Sequence, residues 1–219
     1  MIKLVLFDLD NTLYPTSEQV NACRKASIKS MIRAGLKGRQ TILLKRLYEI
    51  IRELGSNSEE HYNKLVDEVY GQGPDYYRLV SAGITAYNVT KQATMKLYDD
   101  AISTLKSIKT SIGILTKGNA LKQWDKIYRL GLNDLFKKVW IVKDNESKEG
   151  KISEILTSLK LKPKEVIMVG DRMDSDIKPA NNKGLITVRL MKGPYKSQQG
   201  KADYKIKALK EVIGILKEN

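Results

Sequence analysis

The side chains best suited to chemistry in this 219-residue sequence are aspartates, and they fall in two clusters far apart in the chain. Asp8 and Asp10 follow an apolar run at residues 2–7, and Asp171, Asp174 and Asp176 follow another at 166–169. In extended chain, side chains two apart point the same way, so Asp8 and Asp10 face one space. Paired like charges are costly without a cation or a shared proton. A solvated acidic turn, or an acidic loop capping the next helix, would be the plain reading of either cluster alone. Asp is depleted in strands, however, and two carboxylate clusters at strand ends invite one shared cation. Carboxylate oxygens suit Mg²⁺, and an aspartate can act as a nucleophile and form an acyl-phosphate. The chemistry suggested is therefore phosphoryl transfer at a Mg²⁺ site.

Two further positions fit that chemistry. Thr116, followed by Lys117 and Gly118, ends a short apolar run at 111–115. A hydroxyl beside a glycine turn can bind a phosphate oxygen with help from backbone N–H groups. The same Thr-Lys-Gly also reads as an ordinary strand-to-helix turn. A phosphate dianion brought to carboxylates calls for positive charge, and lysine supplies a compact one. Lys148 and Lys151 both precede an apolar helical pattern at 152–159.

The elements that must position these residues alternate. Strands are expected at 111–115, 139–142, 166–169 and 186–190, and helices at 99–108, 120–130, 152–159, 176–183 and 208–216. That alternation implies a parallel sheet with right-handed crossovers. Between the first strand and residue 95 the pattern is helical throughout. Helices are expected from Thr16 or Ser17 to about 32, at 41–54, from 57 or 58 to about 71, and at 76–80 with more helix beyond. Residues 1–14 and 95–219 thus read as an α/β Rossmann-like core domain, and 15–94 as an inserted all-helical cap domain. An insert at that point would lie above the C-terminal strand ends, where open α/β sheets bind ligands.

Composition narrows the classes. Hydrophobic residues make up 42%, enough for a sizeable core, and no apolar run approaches the length of a membrane span. The chain starts directly in a strand, so no signal peptide is expected. Its only cysteine, Cys23, excludes an intramolecular disulfide and favours a reducing, cytoplasmic setting. The net charge of +14 would suit nucleic acid, an anionic phosphate substrate or a lysine-rich thermophile surface. The basic residues are scattered and no zinc-finger, helix-turn-helix or RRM signature is present, so nucleic acid is not the expected partner.

Phe7-Asp8-Leu9-Asp10-Asn11-Thr12-Leu13 resembles motif I of the haloacid dehalogenase (HAD) superfamily, most of whose members are phosphatases. Thr116 stands where its motif II has a Ser or Thr. Gln123, Lys126 and Gly131-Leu132 resemble the helix that follows. Gly170-Asp171 with Asp176 resembles motif IV, of the form GDxxxxD. Lys148 matches the motif III lysine best, although Glu149 replaces the usual proline, and Lys151 stays open as the alternative.

The resemblance implies a HAD fold with a helical cap of the C1 type and a Mg²⁺-dependent phosphatase acting on a small phosphomonoester, either a sugar or triose phosphate or a nucleotide. It implies Asp8 as nucleophile and Asp10 as general acid and then base. It further implies Asp8, the Asp10 carbonyl and Asp171 as Mg²⁺ ligands, and Thr116 and Lys148 as phosphoryl-binding groups. Asp176 would hold the metal's waters or orient the lysine, with Gly170, Lys117 and Gly118 in support. Haloacid dehalogenases proper lack the second aspartate, so Asp10 argues for phosphate chemistry. A phosphomutase of the β-phosphoglucomutase type, or a non-catalytic binding protein, are the alternatives. A small phosphorylated metabolite is the expected partner, and either a monomer or a homodimer is compatible.

Overall fold

The computed structural model describes all 219 residues, Met1–Asn219. The first strand, β1 (Leu4–Phe7), lies inside a six-stranded sheet. The others are β2 (Ser111–Lys117), β3 (Val139–Val142), β4 (Val166–Gly170), β5 (Ile186–Leu190) and β6 (Tyr204–Ile206). Their spatial order is β3-β2-β1-β4-β5-β6, and every pairing is parallel. Strands buried on both faces need no polar alternation, and all four residues of β1 are buried. Leu4 and Leu6 join one apolar cluster with Leu115, Val166, Met168, Ile152 and Ile155. Phe7 meets Phe136 edge to face at 6.2 Å between ring centroids.

Four helices occupy the long segment after β1: α1 (Thr16–Arg33), α2 (Gln40–Leu54), α3 (His61–Val69) and α4 (Tyr76–Thr94). Five follow in the sheet region: α5 (Ala101–Ser107), α6 (Ala120–Arg129), α7 (Lys148–Ser158), α8 (Lys178–Asn182) and α9 (Val212–Glu218). The chain divides into two compact units, one of Met1–Ser17 with Lys96–Asn219 and one of Glu18–Met95. The helical unit has its own core, in which Ile28, Met31, Leu43, Leu47, Ile50, Leu65 and Leu79 are buried together.

Several boundaries differ from the sequence expectation for identifiable reasons. Residues 76–94 form one long helix that contains no Pro and runs through the buried Gly83. Strand β2 runs on to Lys117, since Thr116 and Lys117 pair with Ile141 and Val142. Helix α7 begins at Lys148, four residues earlier than the apolar pattern, with the Ser147 hydroxyl accepting from Glu149 N at 3.2 Å. The expected helix at 176–183 opens instead with a wide turn at Met173–Ile177, where both Asp176 N and Ile177 N donate to Arg172 O. Strand β6 was not expected, having only three residues of which Ile206 alone is buried. Its entry is tied by Asp203, whose carboxylate accepts from the Thr187 N–H at 2.8 Å and hydroxyl at 2.9 Å.

Leu47 is fully buried in the helical unit. Its truncation to Ala should cost about 2–5 kcal/mol of stability, read as a fall in the denaturation midpoint of the transition that includes this unit. An unshifted midpoint would show that this core contributes no cooperativity.

Candidate active site

Strand register assembles the site. Phe7 lies level with Ile114 of β2 and Val169 of β4. Asp8, the next residue, therefore stands beside Leu115 and Gly170, and Thr116 and Asp171 project one residue further on the two flanking strands. The Asp8 N–H donates to Val169 O at 2.9 Å, which carries the pairing one residue past the strand end. After Asp10 the chain turns sharply at Asn11, whose φ of 58° Asn tolerates better than most residues. The Asn11 carboxamide oxygen then accepts from Ser17 N at 2.9 Å and so ties down the start of α1. Neither Thr16 nor Ser17 acts as the helix cap; the Thr16 hydroxyl donates to Asp10 Oδ1 at 2.8 Å.

Lys148 joins the two aspartate clusters. Fully buried at the first position of α7, its ammonium lies 2.5 Å from Asp8 Oδ1 and 2.7 Å from Asp176 Oδ1. Lys151, by contrast, pairs with exposed Glu154 outside the cluster. Asp176 has both oxygens engaged, since Ser175 also donates to Oδ1 at 3.0 Å and Arg172 N to Oδ2 at 3.0 Å. Its position thus matches a lysine-orienting role. Gly170 is required beside it, because a Cβ there would sit 2.5 Å from Asp176 Cβ. Asp174 lies outside the cluster, exposed and paired with Arg172 at 2.7 Å.

Asp8, Asp171 and Asp176 bring one carboxylate oxygen each within 4.8 Å of one another. Thr12 sits between two of them, its hydroxyl 3.5 Å from Asp8 Oδ2 and from Asp171 Oδ1. With all three carboxylates ionised and one ammonium beside them, two negative charges remain uncompensated. Burial pushes the Asp171 carboxyl up to about 8, with Asp8 and Asp176 adding to the rise. Burial likewise raises Asp8, to about 7, although Lys148 acts against the shift. For Lys148 burial favours the neutral amine, but Asp176 and Asp8 outweigh it and hold the ammonium charged. Asp171 Oδ2 is buried and has no hydrogen-bond partner. Surplus charge, hard oxygen donors and an unpartnered carboxylate oxygen fit a divalent cation.

Asp10 occupies a different environment. Lys126 of α6 places its ammonium 2.7 and 2.8 Å from the two Asp10 oxygens. The Tyr14 hydroxyl donates to Oδ1 at 3.0 Å and Gln123 Nε2 to Oδ2 at 3.1 Å. Burial would raise this carboxyl, but Lys126, Thr16 and Gln123 together hold it below its ordinary value. Two aspartates two residues apart are therefore driven in opposite directions. In the sequence Gln123 and Lys126 stand out only as part of a helix pattern. Their spacing of three, with Asn119 four residues before Gln123, is the signal that could have placed them on one face of α6.

The β2 end supplies the remaining groups. Thr116 is fully buried, and its hydroxyl has no hydrogen-bond partner. Gly118 adopts φ of +145°, and a Cβ there would lie 2.7 Å from Gln123 Nε2. That same Nε2 donates to Lys117 O at 3.0 Å, so Lys117 and Gly118 shape the turn by their backbone.

Residues 5–190 match the haloacid dehalogenase-like hydrolase family, and the chain belongs to it. Two relatives are named glyceraldehyde 3-phosphate phosphatase. The one from Methanocaldococcus jannaschii is 39% identical over 227 residues, covering 99% of this chain and 98% of its own. That from Methanopyrus kandleri is 37% identical over 231 residues, covering 100% and 98%. Among solved structures, a HAD phosphatase from Thermococcus onnurineus superposes with a TM-score of 0.63 at 25% identity, covering 98% of each chain. No helix is long and apolar enough to cross a membrane.

The raised Asp171 carboxyl has a stability consequence. An acid whose folded value lies near 8 stays protonated in the fold after it has ionised in the unfolded chain. Its contribution to stability is therefore lost as pH rises from about 4 to about 8. In metal-free protein, Asp171→Asn should melt above wild type at pH 8 and close to it at pH 4. Adding Mg²⁺ at pH 8 should reverse the order. Parallel melting curves for the two proteins across this range would contradict the charge-surplus account.

Proposed function

We propose that this chain is a Mg²⁺-dependent phosphatase of a small sugar or triose phosphate, with glyceraldehyde 3-phosphate the first substrate to test. The observation that carries the reading is the pairing of a lysine-held aspartate, Asp8, with two buried polar atoms that lack partners, Thr116 Oγ1 and Asp171 Oδ2. Full-length similarity to relatives named for this activity supports the substrate class. The helical unit would serve as the cap that selects substrate.

In this reading Asp8 attacks phosphorus through the oxygen that does not face Lys148, forming an aspartyl-phosphate. Asp8, the Asp10 carbonyl and Asp171 would hold Mg²⁺, which when bound offsets the repulsion between carboxylate and phosphate dianion. Lys148 and the Thr116 hydroxyl would take equatorial phosphoryl oxygens, where charge builds in the transition state. Asp176 orients Lys148 and stays out of the reaction. The Asp10 side chain is engaged by Lys126, Tyr14, Thr16 and Gln123. That leaves its main-chain carbonyl for the metal, while its carboxyl would handle proton transfer. It would first take up a proton against the pull of Lys126, give it to the leaving alkoxide, and then as carboxylate take one from the water that attacks the acyl-phosphate.

Phosphate release from glyceraldehyde 3-phosphate tests the proposal, measured with Mg²⁺ and with chelator. Asp8→Asn should lose about 10³-fold or more in kcat. Lys148→Met and Thr116→Ala should each lose about 10²–10³-fold. Release that persists in chelator, or in Asp8→Asn at the wild-type rate, would overturn the mechanism. Conversion of a sugar phosphate to its isomer without phosphate release would instead identify a mutase.

A further inference from the structure

One buried cation has no part in the mechanism above. Arg189 stands in β5 level with Gly170 and is 1% exposed, the largest side chain fully enclosed in the molecule. A guanidinium is costly to bury unless its charge and donors are satisfied. Here every hydrogen bond it makes goes to a main-chain carbonyl. Nε donates to Asp171 O at 3.3 Å, Nη1 to Gln198 O at 2.7 Å and Nη2 to Tyr195 O at 2.6 Å. One side chain thus ties the peptide of Asp171 to two points of the loop that follows β5.

Other contacts join the same two segments. Gln198 Oε1 accepts from Met173 N at 2.9 Å. The Arg172 guanidinium lies 4.5 Å from the centre of the Tyr195 ring. Met173 packs so closely on Gly200 that a side chain there would collide with it. The loop at 191–200 is therefore a backing for residues 171–173, and Arg189 is the post between them.

We propose that Arg189 is a positioning residue for the divalent cation, fixing the Asp171 backbone so that its carboxylate stays in the cluster with Asp8 and Asp176. This rests on the Mg²⁺ reading given above. The physics sets two effects against each other. A positive charge near a cation site lowers cation affinity by repulsion. A rigid ligand raises it by sparing the entropy of ordering the loop, and partners behind metal ligands commonly contribute 10–100-fold in affinity. The three carbonyl bonds place Arg189 on the side of rigidity, since its donors are spent on backbone.

The opposed signs give the test. Mg²⁺ binding to substrate-free protein is measured by calorimetry for wild type, Arg189→Gln, Arg189→Lys and Gln198→Ala, with melting temperature recorded alongside. Arg189→Gln should weaken Mg²⁺ binding about 10-fold, although it removes a positive charge. In turnover, its Mg²⁺ requirement should rise while kcat at saturating Mg²⁺ stays near wild type. Arg189→Lys keeps the charge but cannot span three carbonyls, so it should weaken binding as well. Gln198→Ala, at a half-buried loop position, should fall between wild type and Arg189→Gln. Unchanged or tighter binding in a folded Arg189→Gln would overturn the inference and leave Arg189 a packing residue. Should Arg189→Gln not fold, unchanged binding in a folded Arg189→Lys overturns it equally. Wild type that binds no Mg²⁺ would instead remove the cation reading, and this inference with it.

Discussion

The bond between the Lys148 ammonium and Asp8, shared with Asp176, is the constraint on which the rest of the site depends. Three carboxylates cannot converge in a dry pocket at the end of a parallel sheet unless something opposes their repulsion. Lys148 offsets one of the three charges from the first turn of α7. It meets Asp8 from β1 and Asp176 from the turn after β4, and so cross-links the central strand to its neighbour. Other features follow from it. Asp176 must reach the lysine, so it presses on the strand end, and only glycine fits at position 170. The charge left over falls on Asp8 and Asp171, whose carboxyls are both driven upward.

The same site keeps a second aspartate in the reverse condition. Asp10 is two residues from Asp8, yet it receives four different donors, two of them from α6. Alternation along an extended backbone would send both side chains to one side. The turn at Asn11 and the pull of Lys126 separate them. The two environments thus split nearby carboxyls in opposite directions, Asp8 upward and Asp10 downward. Lys126 is thus to Asp10 what Lys148 is to Asp8, a specific counter-charge delivered by a helix.

Much of this was legible in the chain. The DxD after an apolar run, the second acidic cluster and the Thr-Lys-Gly turn stand out because their residue types are disfavoured in strands and their placement is local. Apolar runs and glycine breaks likewise marked the alternation of the core and the all-helical stretch. What escaped depended on distance. Lys126 meets Asp10 across 116 residues, and one lysine among 39 basic residues carries no mark of its partner. The choice of Lys148 over Lys151 was open for a related reason. Both precede the apolar helical pattern, and only the Ser147 cap, which starts α7 early, turns Lys148 inward. Strand β6 escaped because an edge strand with one buried residue has no periodicity to read. Arg189 escaped because an arginine in an apolar run looks like an edge residue until the carbonyls around it are known.

The order of the strands also bears on how the chain is made. Leu4 pairs with Ser111 on one side and with Val166 on the other. Of this sheet's strands, the first to be synthesised is thus the one at its centre, which must wait for both neighbours. At about 5–20 residues per second, its first neighbour emerges several seconds later and its second later still. Meanwhile Glu18–Met95, with a core of its own, is synthesised whole. Every residue of the helical insert's core is therefore available before the sheet can close. Through that interval Leu4–Phe7 is a short apolar segment without either of its sheet partners, and its pairing is non-local by the measure that slows folding.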